Sequence, residues 1–334
     1  MTRGNDRKSA VKRLKNLVYN GKSDAETFRK KLNGTFAETF LPNNVEFEET
    51  SYGNIKCDVL SPEIYASNRV MLYIHGGSFV GGSRAAYRAF CSSLASKCFC
   101  RVVIPEYRLA PSYPFPAANE DIQNVFKSLF TEEQVACALN SDKGSKSVLP
   151  EFIIAADGSA ASILCSLIFN LRDRYRFCVK NVILFSPWLD ISPDSRCMTT
   201  KKIKDDVLSS DSFKKSSAVY TYESNTVNPF ISPLKASDEQ LKNFPPLTIQ
   251  LGSREFLLKD AEDFTKRMTA LGNKCTLDVW QDMIFMFQMA DQYFYESHLA
   301  LDKIGKIVTG EDKKSEAVKY QNMPKLEYSL NSEA

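Results

Sequence analysis

The residues best placed to do covalent chemistry fall in two short runs. The first is Ala156-Asp157-Gly158-Ser159-Ala160, small residues between the apolar Phe152-Ile153-Ile154-Ala155 and a helix-like pattern that resumes at Ile163. Strand, tight turn and buried helix can lift a nucleophilic hydroxyl to the tip of the turn, and tiny side chains are needed where strand and helix nearly touch. In the usual G-x-S-x-G pattern the middle residue is Ser. The ungapped register puts Gly158 there, whereas a slip of one residue would raise Ser159 instead. The second run is His75-Gly76-Gly77, directly after the continuous apolar stretch Val70 to Ile74. Glycines there expose backbone N–H groups that can face a developing oxyanion, so Gly76, Gly77 and the N–H of Ser159 are the candidate oxyanion or ligand-binding donors.

A Ser hydroxyl is a poor nucleophile at neutral pH without an adjacent base. The chain has only two histidines. His75 belongs to the glycine loop, and His298 lies in a polar helical stretch, Glu296-Ser297-His298-Leu299. Neither is a visible partner for Ser159. Cys165 falls two helical turns beyond the elbow with no partner histidine and reads as a buried structural thiol.

The elements that must position these residues alternate. Val11, Leu14, Leu17 and Val18 have helical spacing, as do Phe28, Leu32 and Phe36. Strands are expected near Val45–Glu49, Ile55–Leu60, Val70–Ile74, Arg101–Pro105, Phe152–Ala155, Val182–Phe185, Leu247–Leu251 and Cys275–Trp280. Helices are expected at Tyr87–Ala95, after Phe115-Pro116-Ala117-Ala118, at Leu257–Leu271 and at Tyr293–Val308. Alternation of this kind implies a mostly parallel sheet covered on both faces, an α/β fold. Leu139 to Ser147 reads as a loop. Residues 193–225, rich in Ser, Lys and Asp, read as an insertion over the site. The layout is then an N-terminal helical region at 1–40, a main domain at 41–309 and a charged, disordered tail at 310–334.

A net charge of +3 over 334 residues argues against nucleic acid as the main partner. The basic N-terminus, MTRGNDRKSAVKRLKN, lacks the apolar run of a secretory signal, and no stretch is long and apolar enough to span a bilayer. Its basic face could lie on an anionic membrane, or be a solvated helix face covering the core. Nine cysteines without metal-ligand spacing suggest reduced thiols, a cytoplasmic location, no metal and no cofactor.

Several motifs, in unbroken order from about Val70 to Val308, resemble the hormone-sensitive-lipase-like branch of the α/β-hydrolase esterases. They are His75-Gly76-Gly77, Tyr107-Arg108-Leu109-Ala110-Pro111, Phe115-Pro116-Ala117-Ala118, Ser186-Pro187-Trp188, and Trp280 through Met289. The resemblance implies an α/β-hydrolase fold, a cap made by the N-terminal helices and 193–225, and a Ser-Asp-His triad that hydrolyses carboxylic esters. At the family's triad positions it implies Gly158 for Ser, Arg254 for Asp and Phe285 for His. Glu255, beside Arg254, would point elsewhere if side chains alternate as on a strand end. The expectation is a degenerate member lacking the triad, a pseudoenzyme that binds a small apolar or carboxylate ligand, a second copy of itself or another protein. The alternative is a weak carboxylesterase or lipase using Ser159.

Overall fold

The computed structural model describes residues 3–37, 41, 44–139 and 149–311. The expected loop at 139–147, except Leu139, and the tail beyond 311 lie outside the described residues. Eight strands form one sheet: β1 (Val45–Tyr52), β2 (Ile55–Pro62), β3 (Arg69–Ile74), β4 (Arg101–Pro105), β5 (Glu151–Asp157), β6 (Val179–Phe185), β7 (Leu247–Gly252) and β8 (Cys275–Trp280). Their spatial order is β1-β2-β4-β3-β5-β6-β7-β8. The β1–β2 and β2–β4 pairs are antiparallel and the remaining pairs are parallel. The continuous apolar runs of β3 and β5 sit at its centre with every residue after the first buried, as a sheet covered on both faces requires.

The helices are α1 (Arg3–Leu14), α2 (Ala25–Phe36), α3 (Arg84–Cys98), α4 (Ala117–Leu139), α5 (Ala160–Asn170), α6 (Asp173–Arg176), α7 (Arg196–Thr199), α8 (Ser210–Tyr220), α9 (Asp238–Leu241), α10 (Leu258–Ala270) and α11 (Tyr295–Thr309). The helix α3 starts where the Ser83 side chain accepts from the Ala86 N–H, and α8 starts with a capping box between Ser209 and Ser212. Residues 193–225 carry α7 and α8 and add no strand to the sheet. The α1–α2 segment meets this insertion through Arg7, which pairs with Asp206 at 2.6 Å, and through Tyr19, whose carbonyl accepts from the Ser216 hydroxyl. No described helix is long and apolar enough to cross a membrane.

Candidate active site

The elbow forms where β5 ends. Gly158 turns the chain with φ +50°, and Ser159 already has helical dihedrals (φ −67°, ψ −26°) as the entry to α5. The left-handed residue of the turn is therefore Gly158. The turn is pinned on both sides: the Gly158 N–H donates to the Phe185 carbonyl, and the Gly158 carbonyl accepts from the Trp188 N–H. A Cβ on Gly158 would point at the Phe285 ring, 3.4 Å from Cζ. Two of the three positions expected from the resemblance thus face each other, with a hydrogen atom on one and a benzyl group on the other.

Ser159 is buried beside this tip, and its hydroxyl oxygen accepts from the Phe79 N–H at 3.0 Å. It ties the elbow to the glycine loop. His75 is engaged within the glycine loop. Its ring is buried and stacked between Tyr107 and Tyr87, Nδ1 lies 3.0 Å from the Gly76 carbonyl, and burial lowers its pKa. His298 is solvent-exposed on α11 and packs near Tyr295, away from the elbow. Cys165 is buried within α5, and burial alone pushes its thiol up to about 12, which leaves it protonated. Cys57, Cys91, Cys98, Cys100, Cys165, Cys178, Cys197 and Cys275 are free thiols, and no cluster among the described residues could hold a metal ion.

The third position is corrected by the structure. Arg254 does not face the site: its side chain is 51% exposed, with Nε 3.7 Å from Asp206. Glu255 turns inward instead. Its Oε1 accepts from the Ser186 hydroxyl at 2.9 Å and from the Gly252 N–H, while Oε2 is buried without a partner. Burial drives this carboxyl well above the usual carboxylate range. Alternation failed as a guide because the chain has left the strand. The Glu255 N–H donates to the Gly252 carbonyl and the Arg254 N–H to the Met283 carbonyl, so residues 252–255 form a turn. Ser186 Oγ also accepts from the Met286 N–H at 3.1 Å, which places the Glu255 carboxyl one hydroxyl away from the peptide that follows Phe285. No motif singled out Ser186 as that link.

Asp157 is the brace of the glycine loop. It accepts from the hydroxyls of Tyr73 (2.8 Å) and Tyr87 (3.0 Å) and from the Gly76 N–H (2.8 Å). Gly76 is obligatory here, since a Cβ would lie 2.3 Å from Asp157 Oδ2. Burial raises the Asp157 carboxyl to about 6, against the opposing pull of these three donors.

The cavity at the elbow is small, about 20 Å³, lined by Gly77, Ser78, Gly158, Ser159, Phe213 and Phe285 among others. A water occupies about 10–15 Å³ in this measure, so the space suits a single water rather than an acyl chain. Aromatic side chains take up the surroundings. Phe79 stacks on Tyr220 with centroids 3.8 Å apart, and Trp188 packs on Phe213 at 4.8 Å.

The family described as alpha/beta hydrolase fold matches residues 71–289. An esterase of Acinetobacter venetianus is 28% identical over 248 residues, 74% of this chain and 77% of that protein. An acetyl-hydrolase of Streptomyces hygroscopicus is 26% identical over 246 residues, 73% of this chain and 77% of its own length. Among solved structures, an esterase from the bacterial hormone-sensitive lipase family superposes with a TM-score of 0.78 at 24% identity, covering 93% of this chain and 99% of its own. This last likeness is one of fold.

Proposed function

The chain belongs to the α/β-hydrolase family, and on that premise we propose that it is a non-hydrolytic member whose acyl-transfer site is closed by its own side chains. The observation that carries this reading is the pairing of Gly158, at the turn tip, with the Phe285 ring across from it. A nucleophile is missing at the one backbone position built to present it, and an apolar ring stands where a base would have to reach. Loss of a whole triad in a serine hydrolase costs on the order of 10⁶ in rate, and oxyanion donors alone retain about 10³–10⁴ over water. The donors of Gly77 and Ser159 remain at the cavity wall, but with space for one water the small apolar or carboxylate ligand needs the cap to open. A second copy or another protein engaging the closed surface needs no such opening. Nine cysteines without metal-ligand spacing favour a reducing, cytoplasmic setting.

The names of the relatives favour a second reading, a weak ester hydrolase. Its nucleophile would be Ser159, whose hydroxyl would have to leave the Phe79 N–H and attack the ester carbonyl without a histidine to take its proton. Purified protein and Ser159→Ala, assayed side by side on short p-nitrophenyl esters, separate the two. The expected result is no turnover above the buffer rate in either. Turnover that disappears in Ser159→Ala would overturn the non-hydrolytic reading.

A further inference from the structure

Charge is distributed unevenly over the molecule. Residues 3–36 hold ten Lys and Arg against three Asp and Glu, and residues 193–225 hold six against five. These two segments together are +8 in a chain of +3, so the rest is −5. Along α1 and the turn that follows it, Lys15–Leu17, the charge is ordered. Ala10, Leu14 and Leu17 point into the core, while Lys8, Lys12 and Lys15 repeat at the same spacing on the opposite, exposed side. The chain then turns through Gly21 and exposed Lys22, where Gly21 lies against the side chain of Lys215 on α8. Lys214 and Lys215 are both exposed there.

Among the described residues none of these six lysines forms an ion pair, and of the nearby acids three have partners of their own, while Asp211 on α8 is an exposed acid without an ion pair. Asp206 holds Arg7, Glu26 holds Lys30, and Asp205 accepts the N–H groups of Val207, Leu208 and Phe256. At the C-terminal end of α8, Tyr222 is 82% exposed and Val227 is 54% exposed.

We propose that these exposed lysines of α1, the turn after it and α8, with exposed Tyr222 two residues beyond α8, dock on an anionic lipid bilayer. Lysines on flexible stems suit the diffuse negative potential of a lipid surface, whereas Arg forks would mark bidentate reading of individual phosphates. An exposed tyrosine beside them supplies an amphipathic ring that settles at headgroup depth. The attachment is peripheral, consistent with the lack of a spanning helix among the described residues.

The test is co-sedimentation of the full chain with phosphatidylcholine vesicles containing or lacking phosphatidylserine. Binding is expected only to the anionic vesicles, and release is expected at about 1 M salt, where the screening length is about 3 Å. Each lysine contributes about fivefold, so Lys8→Ala/Lys12→Ala/Lys15→Ala should weaken binding on the order of a hundredfold. These side chains are exposed and Ala favours helix, so the variant should fold, as circular dichroism will verify. Lys274→Ala, an exposed lysine next to β8, should leave binding unchanged. Equal binding to both vesicle types, no binding to either, or the same affinity for Lys274→Ala and the triple variant would overturn the proposal. So would a single-stranded RNA oligonucleotide bound as tightly as the anionic vesicles.

Discussion

On the glycine-loop side of the elbow, Asp157 gathers Tyr73, Tyr87 and the Gly76 N–H, and Ser159 accepts from Phe79. On the far side, Gly158 meets the Phe285 ring, and Glu255 keeps one oxygen bonded to Ser186 and Gly252 while the other has no partner. The first side is a closed polar network in which every oxygen of Asp157 has a donor. The second is a polar remnant next to an apolar plug. The contrast separates what the fold needs from what hydrolysis needs. A buried carboxylate holding three donors is costly to lose whether or not the site turns over, because each donor would be orphaned. A nucleophile and its base carry no such structural duty, so Gly and Phe can stand there without unfolding the sheet.

The sharpest way to break this comparison is to rebuild the second side from its remnant. Gly158→Ser alone should give no ester hydrolysis, since the new hydroxyl would be pressed against the Phe285 ring and would lack a base. Gly158→Ser with Phe285→His should raise p-nitrophenyl acetate turnover on the order of 10⁴-fold, equivalent to about 5 kcal/mol of barrier, if the Glu255 carboxyl, linked through Ser186 to the Met286 N–H, turns to hold the imidazole. Adding Arg254→Asp should contribute nothing further, and adding Glu255→Gln should remove most of the gain. Activity in Gly158→Ser alone, or a requirement for Arg254→Asp, would show that the two sides have been misread.

Breaking the first side tests stability instead. Asp157→Ala leaves two tyrosine hydroxyls and the Gly76 N–H buried without acceptors, and should lower unfolding free energy by about 4 kcal/mol, read as a fall in the urea midpoint at constant m. A loss under about 1 kcal/mol would mean that water enters and replaces the carboxylate.

Much of this was legible in the residue order. Continuous apolar runs located β3 and β5, and the small residues of 156–160 located the elbow, because packing between strand and helix admits few alternatives there. The shortage of histidine is a matter of counting, since the chain holds only His75 and His298. Glu255 was not legible, since a period of two holds only while the backbone is extended, and the chain turns at Ser253 and Arg254. Nor was the filled cavity. It depends on side chains from the turn after α1, from α8 and from the segment after β8 meeting across long sequence separations, as Leu17, Phe213 and Phe285 do.

The comparison can also be sharpened by pH, since the braced carboxyl carries its own signature. Asp157 rises from an ordinary 3.8 to about 6 in the folded protein, mainly through burial. Below about pH 3.8 it is protonated in both states and has no effect on the balance. Between 3.8 and about 6 the folded protein holds a proton that the unfolded chain has released, so stability falls as pH rises through this window. Above about 6 the loss is complete and constant, up to about 3 kcal/mol for a shift of this size. The buried carboxyl of Glu255 acts in the same direction, so wild type alone would not isolate the effect. Asp157→Asn removes only the Asp157 contribution. Relative to wild type, the variant should gain stability from pH 4 to pH 6 and hold a constant difference from pH 6 to pH 8, in urea titrations at each pH. A difference independent of pH would mean that the three donors offset the burial of the charge, and that the loop side is held by an ionised carboxylate at every pH where the protein folds.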